Sequence, residues 1–443
     1  MTQVEEEVAQ LGREPATDDG EVAQVDGEMT RAARGPDAAA VSWDVARALA
    51  HTAVAPLAPR RLPLEEAVGC VLATPLVAPT AVPPVDRSAM DGYAVRGSGP
   101  WRIVGAVLAG SALPAPLEEG QACTIVTGAS IPPGTTTVLP DEQATRLADE
   151  VAGPAELGRH IRRAGEECAA GETLLPAGTL VLPQLLGLAA TLGLNQLSVI
   201  PKPRVVALIT GDELVHQGPS APGRVRDAIG PMLPALITRA GATFGAVPRT
   251  GAASGCTPSL SSAVVHLPDS RDGLLAAIAG AEAEIILVSG SSAAGPADHL
   301  RGALAELGAE LIVNGVACRP GHPQALARLA DGRLVAGLPG NPLAALTAFL
   351  TLGVAAVRRL RGEGLDALAV ASVPGGLACH PRSTRLVPVR VTTQGAVPVG
   401  HGGSAMLRGA AAADALAVIE PGPGAAIAAR LLPLDPGVRP WVV

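Results

Sequence analysis

The strongest constraint on the fold is a phrase that recurs three times between residues 203 and 362. "RVVALITGDEL", "EIILVSGSSAAGPADHL" and "RLVAGLPGNPLAAL" each place an unbroken apolar run before a small-residue or acidic loop, and each leads into a helix-like stretch. A strand that is apolar on both faces has to be covered on both faces. A loop and helix after each strand is the crossover that a parallel sheet requires. Residues 203–362 are therefore expected to form a parallel α/β domain. Ligands of such sheets bind beyond the carboxyl ends of the strands, where loops meet helix N-termini. The loops there carry Asp212, Glu213, Ser289, Ser291, Ser292, Asp298, Gly340 and Asn341. Hydroxyls and backbone N–H groups suit an anion such as a phosphate, and the carboxylates suit a divalent cation that the anion shares. The bland reading of any one loop is a turn, and of Asp212 or Asp298 a helix cap; three such loops on one edge favour a site.

The rest of the chain reads differently. At 443 residues it is too long for one ordinary domain. Its apolar core is built from Ala, Val, Leu and Ile, since only three Trp, two Phe and one Tyr are present. Residues 1–40 are acidic and show no apolar period, so they are expected to be a disordered tail carrying nearly all of the −8 formal charge. The near-neutral remainder and the scarcity of stacking rings argue against nucleic-acid binding. Six scattered cysteines without CxxC spacing exclude a zinc framework or a disulfide scaffold and suit the cytoplasm. "SWDVARALAHTA" predicts a helix capped by Ser42, and "VRDAIGPMLPALITRAGA" predicts one broken by prolines. The uncharged stretch from Leu174 to Ile200 is interrupted by Pro and Gly, so a hairpin, a short helix and a strand explain it better than a membrane span. The expected boundaries are a linker region at 41–86 and 164–202, a β-rich lobe at 87–163, the α/β domain at 203–362 and a small β domain at 363–443.

The single tyrosine lies in "PVDRSAMDGYAVRG", just after an extended proline segment. A solvated turn needs neither Met90 nor Tyr93. A turn that presents Asp91 into a site, with Met90 and Tyr93 anchoring its backbone, accounts for both.

"DRSAMDGYAVR", "TGASIPPGTTTVLPDE", "TGDEL", "GPADHLRGAL", "RPGHP", "GLPGNP" and "GGSAMLRG" follow one another in an order that resembles the molybdopterin molybdenumtransferase family, from about Ser42 to Val443. The resemblance implies an elongated α/β multidomain chain with a linker region, a β-rich lobe, a molybdopterin-binding α/β domain and a C-terminal β-barrel. It implies a homodimer in which the β lobe of one subunit serves the α/β domain of the other, and transient contact with a molybdopterin adenylyltransferase. The implied reaction takes adenylylated molybdopterin and molybdate, releases AMP with a cation such as Mg²⁺, and leaves molybdenum on the pterin dithiolene. Matching motifs assign Asp91, Glu213 and Asp298 as catalytic and metal-holding, with Asp269 as a further acid. They assign Thr127, Ser289, Ser291, Ser292, Arg319, His322, Gly340, Asn341 and Ser404 to cofactor binding.

The chain also departs from the family pattern. "VRDAIG" keeps Asp227 but loses a polar pair, "SGSSAAG" stands for a Gly-first loop, and "RPGHP" stands for a loop with two lysines. Arg319 keeps a fixed charge, in a chain whose single lysine is Lys202, whereas His322 does not. Arg408 and Gly409 replace a serine pair, leaving Ser404. The alternative to an active insertase is therefore a degenerate paralogue that binds molybdopterin or a partner without turnover.

Overall fold

A computed structural model describes residues 40–112, 115–248, 264–290, 299–400 and 403–438. The chain divides into two compact units. One comprises Ile200–Val443 with the segment up to Ala58, and the other Pro59–Val199.

The first unit is organised by a seven-stranded sheet: β1 (Arg204–Thr210), β2 (Thr243–Phe244), β3 (Val264–Leu267), β4 (Ile285–Ser289), β5 (Glu310–Asn314), β6 (Ala325–Arg328) and β7 (Leu334–Leu338). The order is β2-β1-β4-β7-β6-β5, with β3 beside β1 in line with β2. The three recurring apolar runs become β1, β4 and β7, adjacent and parallel as expected, with Ile209 opposite Ser289 and Ser289 opposite Leu338. Of these strands β6 alone is reversed, pairing antiparallel with both β7 and β5.

Both faces of this sheet are covered, which is why its strands are apolar at every position. Helix α1 (Trp43–Thr52) starts at Ser42, whose Oγ accepts the Val45 amide. It lies on the face formed by Val205, Ala207, Ile209, Ile285 and Leu287, with α2 (Leu233–Arg239). Helices α3 (Arg271–Gly280) and α4 (Leu300–Glu306) cover the other face through Leu274, Ile278, Leu300 and Leu304 against Val206, Leu208, Ile286 and Val288. Helix α5 (Pro342–Leu360) packs on the α1 side and contains a π-helical turn at Phe349–Gly353. There the fully buried Trp43 donates its Nε1–H to Thr351 Oγ1 at 3.0 Å. By length and composition α5 could cross a membrane, but most of it is buried in this core.

Two sequence expectations change here. Residues 41–58 belong with the α/β body rather than with the linker region assigned to 41–86. The helix read over "VRDAIGPMLPALITRAGA" shrinks to α2. Val225–Arg226 is a strand, and the Asp227 carboxylate then caps the Ile229 and Gly230 amides. A side chain that bonds its own backbone two residues on favours a turn over a helix.

The C-terminal segment forms a six-stranded, mainly antiparallel sheet including Ala369–Ala378, Thr384–Thr392, Ala415–Ile419 and Ala425–Pro433. Its Leu386, Leu416, Val418 and Leu432 join the α1–α5 core, so it is continuous with the α/β body.

The second unit holds two small layers. Arg60–Pro63, Gln196–Ile200 and Val71–Leu72 pair in one sheet packed with the helix Pro183–Thr191, so 174–200 resolves into strand, helix and strand. The six-stranded sheet includes Gly92–Val95, Trp101–Val107, Gln121–Ile125 and Thr137–Pro140.

Candidate functional site

In the β-rich unit, the two motifs read as functional are laced together. Ser88 N–H donates to Ala129 O and Gly128 N–H to Ser88 O, setting "SAMDG" beside "TGA". Ser88 Oγ donates to Met90 O at 2.6 Å and tightens the turn. Gly92, which opens the strand, has φ +151°, and a Cβ there would lie 2.1 Å from Leu139 O, so glycine is required. Tyr93 is buried with Trp101, Leu139 and Val151, and anchors the strand next to the turn.

The two aspartates of the motif have different tasks. Asp86 accepts the Ala164 amide and the Arg163 guanidinium, a structural role. Asp91 is fully exposed, and its Oδ1 accepts both the backbone N–H (2.6 Å) and the hydroxyl (2.9 Å) of Thr127. Those two bonds, the amide first, hold its carboxyl below the usual range, so it stays an anion into mild acid.

In the α/β body the carboxyl edge gathers four loops. Residues 211–213 follow β1, Pro268–Ser270 follow β3, Gly290 follows β4, and Pro339–Asn341 follow β7. Thr210 Oγ1 donates to Ser289 O at 3.0 Å and pins the ends of β1 and β4. A Cβ on Gly340 would lie 3.8 Å from Gly290 Cα, so those two loops touch. Asp212 and Asp269 cap one another: the Asp212 amide donates to Asp269 Oδ2 and the Asp269 amide to Asp212 Oδ1, at 3.2 and 3.1 Å. That leaves the exposed Glu213 as the acid of this loop whose carboxylate is not engaged in capping. Between β1 and β4 the chain passes to β3 on one side and returns to β4 on the other, the switch point where such sheets open a crevice.

Helix α5 brings in the remaining motifs. Asn341 is its N-cap, with Pro342 following. The carbonyl of Ser404 accepts the Ala344 amide at 3.2 Å, so the "GGSAM" loop closes the first turn of the helix. Gly321, with φ +105°, packs against Thr347 and Ala344, placing the Arg319–His322 turn on the same helix. His322 Nδ1 lies 2.8 Å from Val316 O; a carbonyl only accepts, so Nδ1 carries the proton and Nε2 is the open nitrogen. Arg319 is exposed, and Ser289 is almost fully buried.

Among the assigned residues, Glu213, Ser289, Gly340, Asn341, Arg319, His322 and Ser404 thus cluster around the carboxyl edge and the start of α5. Asp91 and Thr127 form a bonded pair in the other unit. Ser291, Ser292 and Asp298 lie outside the described residues.

A cavity of 610 Å³ lies at the opposite, amino end of the strands, lined by Arg204, Glu284, Arg328 and Arg333 among others. Its arginines are already committed, Arg204 to Glu284, Arg328 to Glu310 and Arg333 to Asp331, and no loop of the carboxyl edge lines it. The position of the loops, not cavity volume, identifies the site.

The sequence analysis passed over His216 and His266. Both lie beside Asp227, His266 Nε2 at 2.9 Å from its Oδ2. They are 50 residues apart and meet only because β3 pairs with β1.

Comparison with known proteins agrees with this architecture. Residues 41–193 match the MoeA N-terminal region (domains I and II), 206–359 a probable molybdopterin binding domain, and 372–426 the MoeA C-terminal region (domain IV). A molybdopterin molybdenumtransferase 2 of Mycobacterium tuberculosis is 37% identical over 311 residues, 66% of this chain and 72% of that protein. A molybdopterin molybdenumtransferase of Synechococcus elongatus is 34% identical over 365 residues, covering 77% and 86%. The crystal structure of a molybdopterin biosynthesis MoeA protein from Pyrococcus horikosii superposes with a TM-score of 0.69 at 26% identity, covering 89% of this chain and 99% of that one. With all three regions matched in order across most of its length, the chain belongs to the MoeA family of molybdopterin molybdenumtransferases.

Proposed function

We propose that this protein inserts molybdenum into molybdopterin: it takes adenylylated molybdopterin and molybdate, cleaves the phosphoanhydride with release of AMP, and leaves the metal on the dithiolene sulfurs. The observation that carries this reading is the carboxyl edge of β1, β4 and β7, where Gly290 and Gly340 touch and the Ser404 and Arg319–His322 loops meet at the start of α5.

The residues there divide by chemistry. Gly290 and Gly340 are exposed at this edge, and their backbone amides would be available to a phosphate or pterin. Arg319 supplies a permanent positive charge for an oxyanion, and a planar fork that grips two of its oxygens. His322, with its Nδ1 proton committed to Val316 O, offers Nε2, which donates to an anion only when the ring is protonated.

The donor set also fits a hard divalent cation such as Mg²⁺. Glu213 supplies carboxylate oxygen at the edge, while Asp212 and Asp269 hold its loop by mutual capping. Asp298 is the further carboxylate assigned to the cation at this edge. When bound, Mg²⁺ would neutralise charge on the phosphoanhydride oxygens and favour departure of AMP. In the other unit, Thr127 keeps Asp91 ionised and fixed, as an acid that is to serve in catalysis requires. A homodimer as the working assembly is part of the proposal.

The test is direct. Purified protein is given adenylylated molybdopterin, molybdate and Mg²⁺, and AMP release is followed. Glu213→Gln should reduce release by at least about 100-fold with the fold intact, the scale of removing one charge-stabilising group. Binding of the pterin without AMP release by the unaltered protein would instead identify a paralogue without turnover.

A further inference from the structure

Beside the carboxyl edge, and distinct from the carboxylates assigned to Mg²⁺, His216, His266 and Asp227 form a cluster whose ligand atoms all lie within 4.8 Å of one another. We infer that His216, His266 and Asp227 form a binding site for a first-row divalent transition metal such as Zn²⁺.

The geometry suits such an ion. His266 Nε2 and His216 Nδ1 lie 2.9 and 3.9 Å from the same oxygen, Asp227 Oδ2. A tetrahedral zinc with bonds near 2.0–2.1 Å needs ligand atoms about 3.3 Å apart, so each distance is within about 0.6 Å of what the ion requires. The imidazole centroids are 3.8 Å apart with planes at 51°, so the rings are tilted to one another rather than stacked flat. Among the described residues no fourth His, Cys, Asp or Glu joins them, leaving a coordination position for water.

The surroundings are those of a ligand set. Asp227 is buried, and its other oxygen, Oδ1, accepts the Ile229 and Gly230 amides at 2.9 Å each, which fixes the carboxylate with Oδ2 towards the imidazoles. A Cβ on Gly230 would stand 2.3 Å from Asp227 Oδ2 and 3.3 Å from His266 Nε2, so glycine keeps that approach clear. His266 stands on β3 opposite Ile209 of β1, a rigid support. His216 follows the short ribbon of Leu214–Val215 and Val225–Arg226. Two nitrogen donors and one carboxylate select a borderline metal over Mg²⁺, which prefers oxygen and retains its waters.

The ribbon starts beside Glu213, whose carbonyl accepts the Val225 amide at 2.9 Å. A bound ion would clamp this excursion to β3 and hold the loop that carries Glu213, a positioning role.

The test uses the full chain freed of metal with EDTA, titrated with Zn²⁺ by calorimetry in excess Mg²⁺, and separately with Co²⁺ followed in the visible. The expected result is one Zn²⁺ per chain, undiminished by Mg²⁺, and a four-coordinate Co²⁺ spectrum without thiolate charge transfer. His216→Gln alters an exposed side chain, so the fold should hold; affinity should fall by more than the roughly 10–100-fold that outer-shell changes cost. His266→Gln should do the same. Absence of Zn²⁺ binding, affinity unchanged in both variants, or a thiolate band that places the ion on cysteine would overturn the inference. None of these measurements depends on AMP release, so the site and the proposed reaction stand or fall separately.

Discussion

Gly290 and Gly340 look alike in the sequence, each a glycine in a small-residue loop after an apolar strand, yet the structure predicts opposite responses to alanine. Gly290 has φ +97°, and an added Cβ would sit 2.4 Å from Thr210 O and 2.8 Å from Thr210 Oγ1. The backbone conformation alone costs about 1–2 kcal/mol for an L-residue. Relief of the clash has to part β1 from β4, at about 1–3 kcal/mol for overpacking. Separation also strains the buried Thr210–Ser289 bond, worth about 1 kcal/mol. The expected loss for Gly290→Ala is therefore about 2–6 kcal/mol, a large share of the roughly 5–15 kcal/mol typical of a folded domain. At Gly340 the Cβ would make an ordinary contact, 3.8 Å from Gly290 Cα, and Gly340→Ala should stay within about 0.5 kcal/mol. Urea denaturation followed by circular dichroism measures both. A loss below about 1 kcal/mol for Gly290→Ala, or equal losses for the two variants, would refute the argument that β1 and β4 are pinned through this glycine.

Three further outcomes follow from single contacts. Thr127→Val keeps the amide bond to Asp91 and removes the hydroxyl bond, so the depressed Asp91 pKa should rise part of the way towards its ordinary value. Because the carboxylate persists above its folded pKa and is lost as pH falls through it, protonation in the variant should begin at higher pH; a carboxyl titration by NMR that does not move would count against the assignment. Trp43→Phe deletes the Nε1–H bond to Thr351, but Thr351 Oγ1 still donates to Thr347 O, so no donor is orphaned and the cost should be about 1 kcal/mol. A loss above about 3 kcal/mol in urea denaturation would mean that Trp43 has a larger part in the π-helical turn. Burial pushes the Cys318 thiol up to about 12 against the opposing Gln324 bond, so iodoacetamide at pH 8 should label half-buried Cys379 and spare Cys318 until the protein unfolds; mass spectrometry showing equal native labelling would contradict this.

The α/β body was legible because burial on both faces leaves a mark in every residue of a strand. Val205 to Ile209 and Ile285 to Val288 admit no polar position, and the order of strand, small loop and helix leaves few alternatives. Local bonding hid the rest. The stretch from Val225 to Ala242 has helical composition, but Asp227 spends its carboxylate on two amides and delays the helix to Leu233. Asp212 read equally well as a cation ligand or a cap, and the structure makes it a cap only because β3 ends beside β1 and brings Asp269 to it. His216 and His266 carry no local pattern at all. Spacing along a chain reveals ligands on one helix or one strand; it is silent on ligands that a parallel pairing joins.

The same distinction explains how motifs some 80 residues apart serve one edge. "RPGHP", "LPGNP" and "GGSAM" share no periodicity, yet each is fitted to a different part of α5. Pro339–Asn341 lead into it, Gly321 packs on Thr347, and Ser404 O accepts the Ala344 amide. The first turn of any helix has amides without intrahelical partners. Here Pro342 has no N–H to satisfy, and a carbonyl from the C-terminal segment takes the Ala344 N–H. Satisfying that helix end therefore draws the C-terminal loop to the sheet edge, and the loop's presence there follows from backbone hydrogen bonding before any ligand is considered. Removing the Ser404 side chain would leave that carbonyl in place. Ser404→Ala should accordingly weaken pterin binding while leaving stability within about 0.5 kcal/mol, whereas equal damage to both would make the serine a structural residue and remove it from the site.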